Sequence, residues 1–153
     1  EPEAGNLNIG IDNCKLNDVE ADFTLGFIGN SGGEIKISEF VKEKKIDYID
    51  MLHSDIQGYE LHLLQDLVPL MKDKKIKYLF ISTHSNDIHY EAIRIMEECD
   101  YRIIASADFD EQTFCMDGII VACQKDNETI TKTSLGNRRK TPLRNEPWPV
   151  EFY

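Results

Sequence analysis

Between residues 46 and 124 the chain alternates short apolar runs with longer stretches of helical periodicity, and this alternation limits the possible folds most. Residues 46–54, 76–82, 101–106 and 118–124 are dense in Ile, Val, Leu, Tyr and Phe and have the length of buried strands. The segment 59–71 carries Leu64, Leu67, Val68 and Met71 at i, i+3, i+4 and i+7, and Pro69 is expected to end or kink that helix. A second helix, capped by Asn86 or Asp87, aligns Ile88, Ala92, Ile95, Met96 and Cys99 on one stripe. Upstream, 4–16 reads as a helix, 20–28 as a strand and 38–45 as a short helix capped by Ser38. Strands alternating with helices of this length predict an α/β fold with a mostly parallel sheet covered by helices on both faces. Five strands are expected.

At 153 residues, 41% of them hydrophobic, the chain is long enough for one well-filled core. It has no apolar run long enough to span a membrane. Lys and Arg number 17 against 28 Asp and Glu, a net charge of −11, which is the wrong sign for a protein that neutralises nucleic-acid phosphates. The charge is uneven. Residues 125–153 hold six basic and four acidic side chains together with Pro142, Pro147 and Pro149. The expected organisation is therefore an acidic α/β domain over 1–124 and an irregular polar extension over 125–153. Within that extension, Arg138, Arg139 and Lys140 read as solvated, and Trp148, Phe152 and Tyr153 as surface packing. Cys14, Cys99, Cys115 and Cys123 form no metal-binding or redox spacing, and Cys99 and Cys123 fall on apolar faces. Reduced core thiols and no signal-peptide pattern point to a cytoplasmic setting.

Ligands of open α/β sheets bind beyond the carboxyl ends of the strands. Strand 46–54 runs into Asp55-Ile56-Gln57-Gly58-Tyr59-Glu60, and strand 76–82 runs into Thr83-His84-Ser85-Asn86. If these strands are neighbours, Asp55 and His84 leave the same edge of the sheet. Gly58 suits a tight turn with positive φ, and Glu60 falls in the first helical turn on the same rim. Other chemistry is poorly supported. Gly29-Asn30-Ser31-Gly32-Gly33 has the form GxSxG but lacks the helix that must follow a nucleophile elbow. Neither GxxxxGK[ST] nor GxGxxG occurs. Asp50, His53, Asp55, His84 and His89 are possible metal ligands, but in a regular strand Asp50 and His53 face opposite ways, and no metal site is expected.

The run Ile46-Asp47-Tyr48-Ile49-Asp50-Met51-Leu52-His53-Ser54-Asp55-Ile56-Gln57-Gly58-Tyr59-Glu60 resembles the DllkiDvEGaE signature of FkbM-type methyltransferases. His53-Ser54 stands where Lys-Ile is usual, and Gln57 where Glu is commoner. The order of the remaining elements agrees over roughly residues 1–124. The resemblance implies a Rossmann-like class I methyltransferase sheet that uses S-adenosylmethionine, usually to methylate a hydroxyl group. By that pattern the first two of seven strands and the glycine-rich loop would precede Glu1, so the chain reads as a C-terminal portion. It also implies that Glu1 holds the cofactor's ribose and that Asp55, Gln57 and Gly58 approach its methionine end. His84 is the expected base, Asp55 orients the acceptor or the imidazole, and Glu60 stands behind it. The implied acceptor is a small molecule or saccharide, and an unpaired strand edge would favour homo-oligomers. The alternative is a non-catalytic methyltransferase-like binding module.

Overall fold

The computed structural model describes residues 1–29, 34–108 and 117–127. The elements are α1 (Ala4–Leu16), α2 (Ile37–Glu43), β1 (Ile49–Ser54), α3 (Glu60–Lys72), β2 (Ile76–Thr83), α4 (Asn86–Glu98), β3 (Tyr101–Ala107) and β4 (Gly118–Gln124). The Gly29–Gly33 turn beyond its first residue, Cys115 with most of the 108–117 loop, and the extension from residue 128 onward lie outside the described residues.

The four strands form one sheet in the order β1-β2-β4-β3. β1 and β2 run parallel, whereas β4 runs antiparallel to both of its neighbours. The sheet is therefore mixed, where the sequence suggested a mostly parallel one. The β1–α3–β2 crossover is the βαβ unit expected from the alternation, but β4 enters the sheet between β2 and β3 in the opposite sense.

The fifth expected strand does not form: residues 21–27 are irregular, and Ile28 makes a single parallel bridge to Ile35. A strand-like run makes a strand only when a partner edge is available, and here Phe23, Leu25 and Phe27 remain exposed in part or in full. Helices also do not cover both faces among the described residues. α3 and α4 pack against each other as well as against the strands, which sets them on one face. The opposite row, Tyr78 and Phe80 on β2 beside Ile119 and Val121 on β4, is half-buried.

The core lies between the helix pair and the sheet. Leu63, Leu64, Leu67, Leu70 and Met71 of α3 meet Leu79 and Ile81 of β2, Ile120 and Ala122 of β4, and Ala92, Ile95 and Met96 of α4. Each large side chain fully withdrawn from water here contributes about 1.5–3 kcal/mol. This burial explains why α3 continues through Pro69 to Lys72 instead of ending there. Pro69 removes one backbone hydrogen bond on the exposed side, while Leu67, Leu70 and Met71 hold the last turn against the core.

Helix ends are fixed locally. Lys45, Lys74 and Asp100 follow α2, α3 and α4 in the left-handed region, with φ of 54°, 55° and 60°. After α3 the reversal is closed by the Lys75 amide donating 2.9 Å to the Leu70 carbonyl, and after α2 by Ile46 donating 2.9 Å to Val41. Starts differ from expectation in two places. Ser85, not Asn86 or Asp87, caps α4, accepting from the Ile88 amide at 3.2 Å. Ser38 does not cap α2. Its amide donates 2.9 Å to Asp66 of α3, and its hydroxyl bonds the same carboxylate, which ties the two helices together.

Candidate active site

Three carboxylates and one imidazole gather where β1 and β2 end. Asp55 follows β1, Glu60 opens α3, His84 follows β2, and Asp117 immediately precedes β4. Because β1 and β2 are parallel neighbours, with Ser54 paired to Ile81, Asp55 and His84 do leave the same edge. Asp117 joins them because antiparallel β4 begins where β2 ends, Gly118 being paired with Thr83.

The turn between β1 and α3 is organised from within. Gln57 and Gly58 both take positive φ, 53° and 99°. This conformation turns the Ile56 and Gly58 amides toward Glu60, whose Oε1 accepts from them at 3.3 and 3.1 Å. The same oxygen accepts from His84 Nδ1 at 2.8 Å. Glu60 is fully buried, so it acts as the internal anchor of the turn and not merely as a helix-start charge.

A carboxylate only accepts hydrogen bonds, so the Glu60 contact puts a proton on Nδ1 and, in the neutral ring, leaves the Nε2 lone pair open. Nε2 lies 3.3 Å from Asp55 Oδ1 and 3.9 Å from Asp117 Oδ1. It is shielded from solvent yet has no aligned hydrogen-bond partner among the described residues. Gln57 Nε2 donates to Asp55 Oδ1 at 3.4 Å, which holds that carboxylate toward the ring.

Beside this rim is an open cavity of about 600 Å³, lined in part by Glu1, Phe27, Ser54, Asp55, Gln57 and Tyr59. Glu1 reaches it because the Gly26 amide bonds the Glu1 carbonyl at 3.0 Å, drawing residues 24–27 alongside the chain start. One Glu1 carboxylate oxygen accepts from the Glu3 amide at 3.0 Å and from Asn6 at 3.4 Å. Phe27 and Tyr59 meet edge to face, with ring centroids 4.7 Å apart, and supply an aromatic wall.

The structure thus unites Asp55, Glu60 and His84 on one rim and Glu1, Asp55 and Gln57 on one cavity, while Gly58 shapes the turn without lining it. Asp50 is exposed on β1, and His53 lines the cavity. His89 is buried, with Nδ1 2.9 Å from Thr83 Oγ1 and Nε2 2.8 Å from Ser106 Oγ. Burial holds its pKa below the usual imidazole value, although the Asp108 carboxylate opposes that shift. Both ring nitrogens being engaged, His89 is a structural member of the fold and not a ligand of this rim. Asp117 and the Phe27–Tyr59 pair escaped the sequence reading.

Residues 33–103 match the family model described as Methyltransferase FkbM domain, just under half of the 153-residue chain. The match bears out the family resemblance over β1, α3, β2, α4 and the start of β3, with Asp55, Glu60 and His84 inside it. Glu1 and Asp117 lie outside it. No curated protein and no solved structure matches the chain at a significant level. No helix among the described residues is long and apolar enough to cross a membrane.

Proposed function

We propose that this rim is the methyl-transfer site of an S-adenosylmethionine-dependent enzyme that methylates a hydroxyl group on a small molecule or saccharide. The observation that carries the reading is the Glu60–His84–Asp55 cluster, joined through Asp55 to a cavity whose wall includes Glu1 and Gln57. The family match over the segment holding that cluster supports it.

The residues present fit the cofactor. Glu1 offers carboxylate oxygens suited to a ribose diol, Asp55 and Gln57 offer polar groups suited to an amino-acid end, and the cavity is of ligand size. When bound, S-adenosylmethionine supplies a methyl group on a sulfonium that needs no further activation. What the chain must add is alignment and removal of the acceptor's proton, and good alignment alone is worth up to ~7–11 kcal/mol. With its Nε2 lone pair free, His84 would take that proton. Glu60 fixes the ring's tautomer and orientation, and Asp55 lies beside Nε2 where it can hold the hydroxyl or stabilise the imidazolium. The buried, reduced Cys99 and Cys123 suit a cytoplasmic setting. The exposed Met51 on edge strand β1 suits association of copies.

The test uses protein that carries the upstream strands and glycine-rich loop the resemblance implies, in calorimetric titration with S-adenosylhomocysteine and in transfer of a labelled methyl group to a panel of hydroxylated small molecules and saccharides. Saturable binding is expected, with transfer falling about 10²-fold or more in His84→Ala while S-adenosylhomocysteine affinity holds. Absence of binding overturns the reading. Unchanged transfer by His84→Ala across about pH 6 to 9 overturns the base assignment alone.

A further inference from the structure

Asp55, His84 and Asp117 come from three different elements, and one ligand atom from each lies within 4.8 Å of the other two. We propose that these three side chains bind a divalent transition-metal ion, of the Zn²⁺ or Mn²⁺ kind, through Nε2 of His84 and one oxygen of each aspartate. The inference rests on the reading of this rim as the acceptor site and replaces the His84 base there with a bound ion.

Geometry comes first. Zn²⁺ holds imidazole nitrogen and carboxylate oxygen at about 2.0–2.2 Å, so neighbouring ligands of a tetrahedral ion sit roughly 3.3 Å apart. Nε2 is 3.3 Å from Asp55 Oδ1 and 3.9 Å from Asp117 Oδ1, and the two aspartates offer oxygens within 4.8 Å of each other, so the set closes on an ion when these part-exposed carboxylates draw inward. Asp55 Oδ1 is close to Nε2 without being aligned as a hydrogen-bond acceptor. That off-axis position is where a second ligand belongs when an ion occupies the nitrogen's own axis. Three protein ligands leave further positions open, as catalytic zinc sites require.

Electrostatics gives an independent reason. Asp55, Glu60 and Asp117 surround one imidazole, and His84 is the only cationic or potentially cationic side chain within ion-pair distance of them among the described residues. A neutral ring turns a shielded lone pair toward two anionic oxygens. A protonated ring offsets only one of the three negative charges. A divalent ion offsets two and gives Nε2 the partner it lacks. Glu60 completes the arrangement from behind, since a ligating histidine commonly donates its other N–H to a carboxylate, which fixes the tautomer and strengthens the ligand. The mixed imidazole–carboxylate donor set favours Zn²⁺, Mn²⁺ or Fe²⁺ over Ca²⁺.

An ion here sits where the acceptor hydroxyl must lose its proton, and it acidifies a hydroxyl that touches it. His84 then serves as ligand in place of base, and the acidified hydroxyl gives its proton to solvent water as the methyl group bonds to its oxygen and leaves the sulfonium. Metal-stripped protein, titrated with Co²⁺ and followed by visible absorption, is expected to bind one equivalent with bands of a four- or five-coordinate ion, and Zn²⁺ is expected to displace it. Asp117→Asn, which leaves the buried Glu60–His84 pair intact, is expected to weaken Co²⁺ at least about tenfold, as is Glu60→Gln. Asp50→Asn, an exposed carboxylate outside the cluster, is expected to change nothing. No saturable Co²⁺ binding, or binding insensitive to Asp117→Asn and Asp55→Asn, overturns the site. S-adenosylhomocysteine titrated into the same samples separates the two claims. Ion binding without cofactor binding keeps the metal site and overturns the methyltransferase reading, and the converse overturns the metal site alone.

Discussion

Glu60 and His84, 24 positions apart in sequence, meet through a 2.8 Å hydrogen bond that joins the start of α3 to the end of β2. Through the same oxygen Glu60 also accepts the Ile56 and Gly58 amides, so one buried carboxylate holds a turn and a ring at once. Glu60→Ala leaves two amides and the ring N–H without that acceptor and is expected to cost about 2–4 kcal/mol, read from urea denaturation. Glu60→Gln keeps an acceptor oxygen and the side-chain shape, and its cost is expected to be clearly smaller. Equal losses in the two variants would show that the hydrogen bonds to Glu60 add nothing beyond its charge.

Gly58 takes φ of 99°, and a Cβ added there would meet nothing within 4 Å. Any cost of Gly58→Ala is therefore backbone conformation and not crowding. A loss of about 1–2 kcal/mol is expected from forcing an L-residue into this region. The adjacent Gln57 already occupies the left-handed region as a non-glycine residue, at φ 53°. Gln57→Gly should accordingly leave the protein as stable or slightly more so. If Gly58→Ala unfolds at the same urea concentration as the parent, the turn does not require its glycine.

Much of this site was legible because it depends on the carboxyl ends of two parallel neighbours. The run from Asp55 to Glu60 and the position of His84 each follow a strong strand pattern, and the βαβ crossover between them brings both ends to one rim. Asp117 was not legible for the opposite reason. An apolar strand reads the same in either direction, and nothing within residues 118–124 tells that β4 runs antiparallel. Taken as parallel, its first residue would lie at the far rim, and Asp117 would have no place in the cluster. The 20–28 segment misled because a strand-like run says nothing of whether a partner edge is available to it. Pro69 and Ser38 misled because local propensity yielded to tertiary contacts, core packing in one case and the Asp66 carboxylate in the other.

His89 couples stability to pH through a buried network beside the rim. Its ring bridges Thr83 on β2 and Ser106 on β3, and it is 1% exposed. Burial lowers its folded-state pKa, which means the unfolded chain takes up the proton first as pH falls. Its contribution is therefore intact above the unfolded value near ~6.5 and is lost progressively below it, until the lowered folded value is reached. One proton of difference gives a slope of at most about 1.4 kcal/mol per pH unit. His89→Gln keeps polar atoms in the gap but cannot titrate. The advantage of the parent over this variant in urea denaturation is expected to be larger at about pH 7.5 than at about pH 5.5, where carboxylates remain ionised in both. His84 and the other histidines are common to the two proteins and cancel from the comparison. An equal difference at the two pH values would mean that His89 keeps the same proton count folded and unfolded, and that the Thr83–His89–Ser106 bridge holds the strands by geometry alone.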